Sequence, residues 1–264
     1  MTFDDVGLTL TARTSEAVDR ADLKPGAEAL FRLFLQREPE FGFNPDITVD
    51  YPEIDQGVDS PFLDEAPAYL AKRLAELEAE GRSVGRVVIL TTWADRVGAA
   101  LTAAGWTGQP IDMPAGPDGT WTYALNRSDG AHTLYVEAVN EADPKIRPDF
   151  LLELHDADGR LRGGAWGSIH DRDGQRYAYL ATMTLDEGLP PGVGTALGQA
   201  VDAAMRQAGV GVVHLGTQTA GPFYRRLGYR ITHNLVPGLR VRTDANGQTI
   251  STDLVMMERR LADG

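Results

Sequence analysis

The chain contains no cysteine. That excludes disulfides, thiolate metal sites, iron–sulfur clusters and a cysteine nucleophile. Cations are scarce as well: 25 Lys and Arg stand against 38 Asp and Glu, a formal charge of −13 over 264 residues. Affinity for a phosphate backbone comes from clustered Lys and Arg, so neither nucleic acid nor an anionic membrane surface is an expected partner. No apolar run approaches the roughly 18 residues of a membrane span. The opening MTFDDVGLTLTART has neither the basic nor the apolar stretch of a secretory signal, so a cytoplasmic location is expected. The spacing of a His/Asp/Glu metal site and the G-x-S-x-G elbow of serine hydrolases are both missing. No metal is therefore expected.

What remains is an acidic α/β chain long enough for two domains of about 130 residues each. Residues 8–13 alternate as a strand does, and residues 27–36 carry a broad apolar helical face that starts after Pro25. Residues 63–81 place Leu70, Leu74 and Leu77 at helical spacing and stop at Gly81. The run RVVILTT at 86–92 reads as a buried strand, 94–104 as a helix, 110–119 as a Pro/Gly/Asp loop and 121–126 as a strand. A boundary is expected near Ser128-Asp129-Gly130, giving domains 1–130 and 131–264.

The second half opens with a strand at 133–139. Three antiparallel strands follow at 150–155, 161–170 and 176–185, joined by the turns Asp156-Ala157-Asp158-Gly159 and Asp171-Arg172-Asp173-Gly174. A Gly-rich turn then opens a helix that ends near Gln207. A strand at 210–215, a helix at 220–227, a strand at 229–232, a Gly/Asp-rich loop and a strand at 254–260 complete the chain. The helix–strand–helix–strand series of the first half repeats this last stretch, down to Ala104-Gly105-Trp106 against Leu227-Gly228-Tyr229, which suggests a tandem arrangement.

Two segments carry chemistry. The first is Leu189-Pro190-Pro191-Gly192-Val193-Gly194-Thr195-Ala196-Leu197. Glycines there let the backbone approach an anion, and the helix that follows aims its free N–H groups and positive dipole end at it. A Gly-rich turn with no ligand is the plainer alternative. The second is Ala220-Gly221-Pro222-Phe223-Tyr224-Arg225-Arg226-Leu227-Gly228-Tyr229. In this order, after three antiparallel strands, the pair resembles the GNAT superfamily of N-acetyltransferases: the first matches its Q/R-x-x-G-x-G/A acetyl-CoA loop, the second its A-x-x-F-Y-x-x-x-G-F/Y segment.

The resemblance spans about Thr133 to Leu261 and reaches the first half only as a degenerate repeat. It implies a GNAT-like mixed α/β sheet and an acetyl-CoA-dependent N-acetyltransferase. Acetyl-CoA would be held by Leu189, Gly192, Val193, Gly194, Thr195 and Ala196, with the backbone of Met183, Thr184 and Leu185 along its pantetheine arm. Tyr224 would protonate the leaving thiolate; an unperturbed phenol, with a pKa of about 10, stays protonated at neutral pH. The other reading of Tyr224 is a ring packed under the sheet. Candidates for the base that deprotonates an amine are Glu153 and His155, which share a strand face, and also Glu137 and His170; a solvated or packed role is the alternative for each.

Three departures qualify the match. Leu189 stands where the family has Gln or Arg. Pro190 and Pro191 offer no N–H. Residues 140–149 leave no room for the two helices that usually cover the acceptor, so residues 27–36 and the loop 52–60 are expected to provide that cover. The acceptor expected is an amine of a small molecule or peptide, cationic if the chain's charge steers it. The alternative is a non-catalytic GNAT-like module that binds a ligand or protein.

Overall fold

The computed structural model describes residues 2–36, 41–50, 61–91, 94–103, 105, 107–112, 120–126, 130–138 and 147–261. Two mixed sheets carry the chain. The larger has eight strands and the smaller five.

Strand β1 (Leu8–Thr14) leads through an Asp19 cap into helix α1 (Arg20–Leu35). The helix starts seven residues earlier than the apolar pattern suggests. The Asp19 side chain accepts from the Ala21 amide at 2.9 Å, and Pro25, expected just ahead of the helix, lies inside it. As the sixth helical residue, Pro25 lies past the first turn and forgoes the bond an amide there would make to the Ala21 carbonyl. After α1 come β2 (Gly42–Phe43), β3 (Ile47–Asp50), α2 (Pro61–Ala79), β4 (Val84–Thr91), α3 (Ala94–Ala103), β5 (Gly108–Asp112), β6 (Thr120–Asn126) and β7 (His132–Ala138). Then follow β8 (Phe150–Asp156), β9 (Leu161–Arg172), β10 (Gln175–Leu185), α4 (Val193–Gln207), β11 (Val212–Thr217), α5 (Gly221–Arg226), β12 (Arg230–Thr243) and β13 (Thr249–Arg260).

The large sheet runs β1-β8-β9-β10-β11-β13-β12-β2, and the small one β3-β7-β4-β6-β5. Two strands are not where the sequence pattern suggests. β7, read as the opening strand of the second half, pairs parallel with β3 and β4 and never meets β8. β1, from the far N-terminus, is the antiparallel neighbour of β8 instead, with Leu8 opposite Asp156. A cut at 130/131 therefore passes between β7 and its partners. The loop at 52–60 lies outside the described residues.

Two more differences have local causes. β5 occupies residues read as loop; Pro110 is tolerated because β5 is the edge of its sheet. β12 and β13 form one long hairpin where a short strand and a loop were expected. Its register shifts around Pro237-Gly238, and the Asp253 carboxylate secures that bulge by accepting from the Gly238 amide at 2.7 Å.

The wiring of the two sheets repeats. In α2-β4-α3-β5-β6 and in α4-β11-α5-β12-β13, the first strand pairs antiparallel with the third, and the third with the second. Each first strand also has a parallel neighbour, β7 or β10.

Period-two alternation explains the layers. Phe150, Leu152, Leu154, Ala178, Leu180, Val213, Leu215, Val255 and Met257 face α4 and α5 in the main core. On the reverse, Leu151 and Trp166 receive Leu23, Ala27 and Leu30 of α1. Further along that reverse face, Leu254, Met256 and Tyr179 pack against Ile47, Val88 and Tyr135 of the small sheet. α2 and α3 cover the small sheet's outer side through Leu70, Leu74, Leu77 and Leu101 against Val87, Ile89, Leu134 and Val136. The reverse of the large sheet is thus shared between α1 and the five-stranded sheet. Among the described residues, no helix is long and apolar enough to cross a membrane.

Candidate functional site

The ladder between β10 and β11 is short. It joins Tyr177, Ala178 and Tyr179 to Val212, Val213 and His214, and stops. Beyond it β10 continues to Leu185 and β11 to Thr217 with no register between them. On its other side β10 stays paired with β9 after a bulge between Leu180 and Thr182. The strands therefore part, and the β11-facing backbone of residues 180–185 is released from sheet pairing. Met183, Thr184 and Leu185 lie in this released stretch.

The chain leaves β10 through Asp186, whose carboxylate accepts from Arg162 Nε at 2.9 Å, and enters α4 at Gly192. Gly192 is the N-cap and carries no capping side chain; its φ of 98° lies in the region that glycine alone adopts freely. The Val193 amide donates to the Pro190 carbonyl at 3.3 Å. Helix geometry gives the next amides, of Gly194 and Thr195, no intrahelical acceptor. Leu189 is half-buried against the main core, while Pro190, Pro191, Gly192 and Thr195 are exposed.

Three elements converge at Gly194. A Cβ there would lie 3.3 Å from Leu185 Cδ1 at the end of β10 and 3.3 Å from Phe223 Cε2 on α5. A glycine keeps that cradle open. α5 is anchored by the Ala220 amide donating to Thr217 Oγ1 at 3.1 Å. Tyr224 follows Phe223, buried, its ring edge-on to Phe223 at 5.1 Å and to Tyr229 at 5.5 Å. Burial, and secondarily the neighbouring Tyr179, pushes the Tyr224 phenol well above its ordinary range. The ring of Tyr224 thus packs in the main core, next in the chain to the Phe223 that borders Gly194.

The proposed bases are dispersed. Glu153 lies on the α1 side of β8, paired with Arg13 at 2.5 Å and covered by Gly26 of α1. It is two strands from β10, with Gly164 of β9 between it and Thr184. His155 is half-buried near the hairpin end of the same strand, between Thr9 and Leu161. Neither adjoins Tyr224. His170 pairs with Tyr177, at the end of the ladder away from the gap: its Nε2 is 2.8 Å from Ser168 Oγ and its ring lies 5.4 Å from Tyr177. Burial lowers its pKa. His214 meets the edge of Tyr177 at 5.7 Å. Glu137, expected on a central strand of the same sheet, is on β7 of the other one, where Tyr135 Oη donates to its Oε2 at 3.2 Å.

Tyr179 is the residue the motifs did not disclose. It is the last β10 residue paired with β11, and its hydroxyl lies against Gly216, where a Cβ would be 3.4 Å away. Burial, and secondarily the Glu137 charge, raises its pKa to about 12 despite an opposing hydrogen bond from the Gly216 backbone. The alternation Tyr177-x-Tyr179 on a strand that runs into a Gly-rich loop is the signal that could have found it. Among the described residues, no cluster of three or more His, Asp or Glu is placed to hold a metal ion.

No protein-family model matches the chain, and no curated protein matches it in sequence. Solved structures do resemble part of it. Ard1 from Thermoplasma volcanium is 24% identical with a TM-score of 0.33, over 43% of this chain and 71% of that one. The ribosomal-protein-S18-alanine N-acetyltransferase from Escherichia coli is 18% identical with a TM-score of 0.32, over 43% and 70%. A GNAT family acetyltransferase from Elizabethkingia anophelis with acetyl-CoA bound is 17% identical with a TM-score of 0.32, over 42% and 76%. The likeness is partial and one of fold.

Proposed function

We propose that the chain is an acyl-CoA-dependent N-acyltransferase that moves an acetyl group directly to the amine of a small molecule or peptide. One observation carries this: the strands β10 and β11 part, and the end of β10 meets the N-terminus of α4 and Phe223 of α5 around Gly194. A parted pair of strands supplies free backbone groups for an amide-bearing cofactor arm, and the helix start supplies N–H groups for its phosphates. Acetyl-CoA is the acyl donor this reading names: Gly192, Gly194 and Thr195 would hold its pyrophosphate, the amides of Val193 and Ala196 being bonded to the Pro190 and Gly192 carbonyls, and Met183, Thr184 and Leu185 would line its pantetheine arm. When bound it supplies an activated thioester carbonyl.

The chain's own groups do the rest. Tyr224 keeps its proton at neutral pH and donates a hydrogen bond to the departing sulfur. With no cysteine in the chain there is no acyl-cysteine step, so the acceptor nitrogen attacks directly. The transferase unit in this reading consists of β1, α1 and β8 to β13. The five-stranded sheet is inserted into it as a degenerate GNAT-like repeat that walls the acceptor side. This revises the division at 130/131 and gives α1 the covering role expected of residues 27–36.

The second reading, a non-catalytic module, draws on Pro190 and Pro191, which remove two amides from the loop. Calorimetry with acetyl-CoA separates the two. The transferase reading expects saturable binding, weakened when Gly194→Val fills the cradle between Leu185 and Phe223. No heat of binding at millimolar acetyl-CoA would leave the module.

A further inference from the structure

We propose that Arg226 on α5 binds the 3′-phosphate of the acyl donor, so that the protein selects acetyl-CoA over the same thioester lacking that phosphate. The inference rests on the transferase reading and adds a specificity determinant outside the Gly-rich loop.

The charge distribution is the first observation. The chain is acidic overall, with 38 Asp and Glu against 25 Lys and Arg. From Gly188 to Arg230 the balance reverses: Arg206, Arg225, Arg226 and Arg230 stand against Asp202 alone. Asp202 is buried and paired with Arg259 at 2.7 Å. Arg230 is paired with Glu258. Other arginines of the large sheet are engaged in the same way, Arg162 with Asp156 and Asp186, and Arg176 with Glu16. Arg225 and Arg226 differ. Both are exposed, and neither has an ion-pair partner among the described residues. A chain of strong negative charge repels a polyanionic nucleotide unless cations stand where its phosphates arrive.

The second observation is where Arg226 stands. Its guanidinium lies 6.0 Å from the centre of the Phe223 ring. That ring is also the wall beside Gly194, where a Cβ would be 3.3 Å from Phe223 Cε2 and 3.6 Å from its Cζ. One aromatic ring therefore separates Arg226 from the start of α4, where the amides of Gly194 and Thr195 have no intrahelical acceptor. Those amides suit the pyrophosphate. The 3′-phosphate is carried on the ribose beyond it, and a cation one ring further out suits that group. Arg226 follows Phe223 by three residues and shares its side of α5, whereas Arg225 is turned from Phe223 by about 200°.

The chemistry matches the position. A phosphate monoester carries about two negative charges at neutral pH and presents three acceptor oxygens. A guanidinium resting on an aromatic ring keeps its N–H fork free and meets such a group with two parallel hydrogen bonds. The cation also adds attraction that the loop lacks, since Pro190 and Pro191 have no N–H and Leu189 offers only hydrocarbon.

Calorimetry on the full chain, with CoA and 3′-dephospho-CoA as probes, tests this. Wild-type protein is expected to bind CoA about tenfold more tightly than dephospho-CoA, the size of a charge-assisted hydrogen bond at an exposed site. Arg226→Gln should erase that preference by weakening CoA alone. Arg225→Gln makes the same change of charge one residue away and should keep the preference. Arg226→Lys should keep part of it, because the charge remains and the fork is lost; this variant carries the test if a thermal melt shows that the Gln variant folds poorly. In wild-type protein the preference should shrink at 1 M salt, where the screening length is about 3 Å. Equal wild-type affinity for the two probes overturns the inference. So does an Arg226→Gln variant that weakens both probes alike, which places the side chain on the pyrophosphate, or an Arg225→Gln variant that loses the preference as fully, which leaves only a diffuse field. Failure of wild-type protein to bind either probe overturns the transferase reading instead, and is seen before any variant is made.

Discussion

Replacing Tyr224 by Phe removes one hydroxyl and no packed carbon. The edge-on contacts with Phe223 at 5.1 Å and Tyr229 at 5.5 Å remain, so the fold should not notice. The chemistry should. An alkyl thiol has a pKa of about 8.5 and an ordinary phenol about 10, so handing a proton from phenol to thiolate is uphill by roughly 2 kcal/mol at 1.36 kcal/mol per unit. Burial raises the Tyr224 phenol further and makes full transfer harder still. The hydroxyl therefore acts chiefly as a hydrogen-bond donor to charge that develops on sulfur as the C–S bond stretches. Losing such a donor in a buried site costs about 2.7–4 kcal/mol, or roughly 100-fold to 1,000-fold in kcat. The assay is thiol release at saturating acetyl-CoA, with calorimetry for affinity and a thermal melt for stability. The expected result is a fall in kcat with dissociation constant and Tm unchanged. An unchanged kcat, or a fall explained by lost acetyl-CoA affinity, would refute the assignment.

Other outcomes follow from packing and charge. Gly167→Ala would bring a Cβ to 2.0 Å from the Tyr179 carbonyl and 2.7 Å from the Phe150 ring; an overpacking cost of about 1–3 kcal/mol should lower Tm by several degrees in a scanning calorimeter. Arg259 donates to the buried Asp202 at 2.7 Å, so Arg259→Met strands a carboxylate on α4 and should cost about 3–5 kcal/mol in a urea titration. Adding Asp202→Leu to it should restore much of that loss. Burial lowers the pKa of both His132 and His170 below the 6.5 of an unfolded chain. A lowered folded pKa means that, below pH 6.5, the unfolded state takes up protons the folded state refuses. Stability should therefore be flat above that pH and fall as the solution is acidified through it, and the double variant His132→Gln, His170→Gln should fall less.

What the sequence discloses is local. The strands β8, β9 and β10 are readable because each ends in an Asp/Gly turn, and α4 because glycines punctuate its start and Gly209 its end. The strand expected at 150–155 is there as β8, but Leu151 beside Leu152 leaves its faces unmarked, and each face has its own core. Long-range partnership is not written in any period. Nothing in LTLTART says that it will pair with residues 150–156, or in HTLYVEA that it will slip between β3 and β4. That is why Glu137 and Tyr179 are hidden as neighbours: they come from different sheets, and only the packing of one sheet on the other joins them. Prolines hide the rest. Pro110, Pro237 and Pro25 each look like a break, and each is absorbed, by an edge, a bulge and a first helical turn and a half.

The N-terminal segment has a consequence for how the molecule is made. β1 forms one edge of the eight-stranded sheet and β2 the other, with Arg240 stacked 3.6 Å over Phe43 to hold the second. Both borders of the sheet thus precede the five-stranded sheet in the chain, while every strand between them follows it. The partner of β1 is about 140 residues away along the chain, and the partner of β2 about 200. During translation these two strands wait unpaired while the five-stranded sheet, whose contacts are nearer in sequence, can close first. The large sheet is completed only when β12 and β13 arrive. The gap between β10 and β11 belongs to this later-completed sheet.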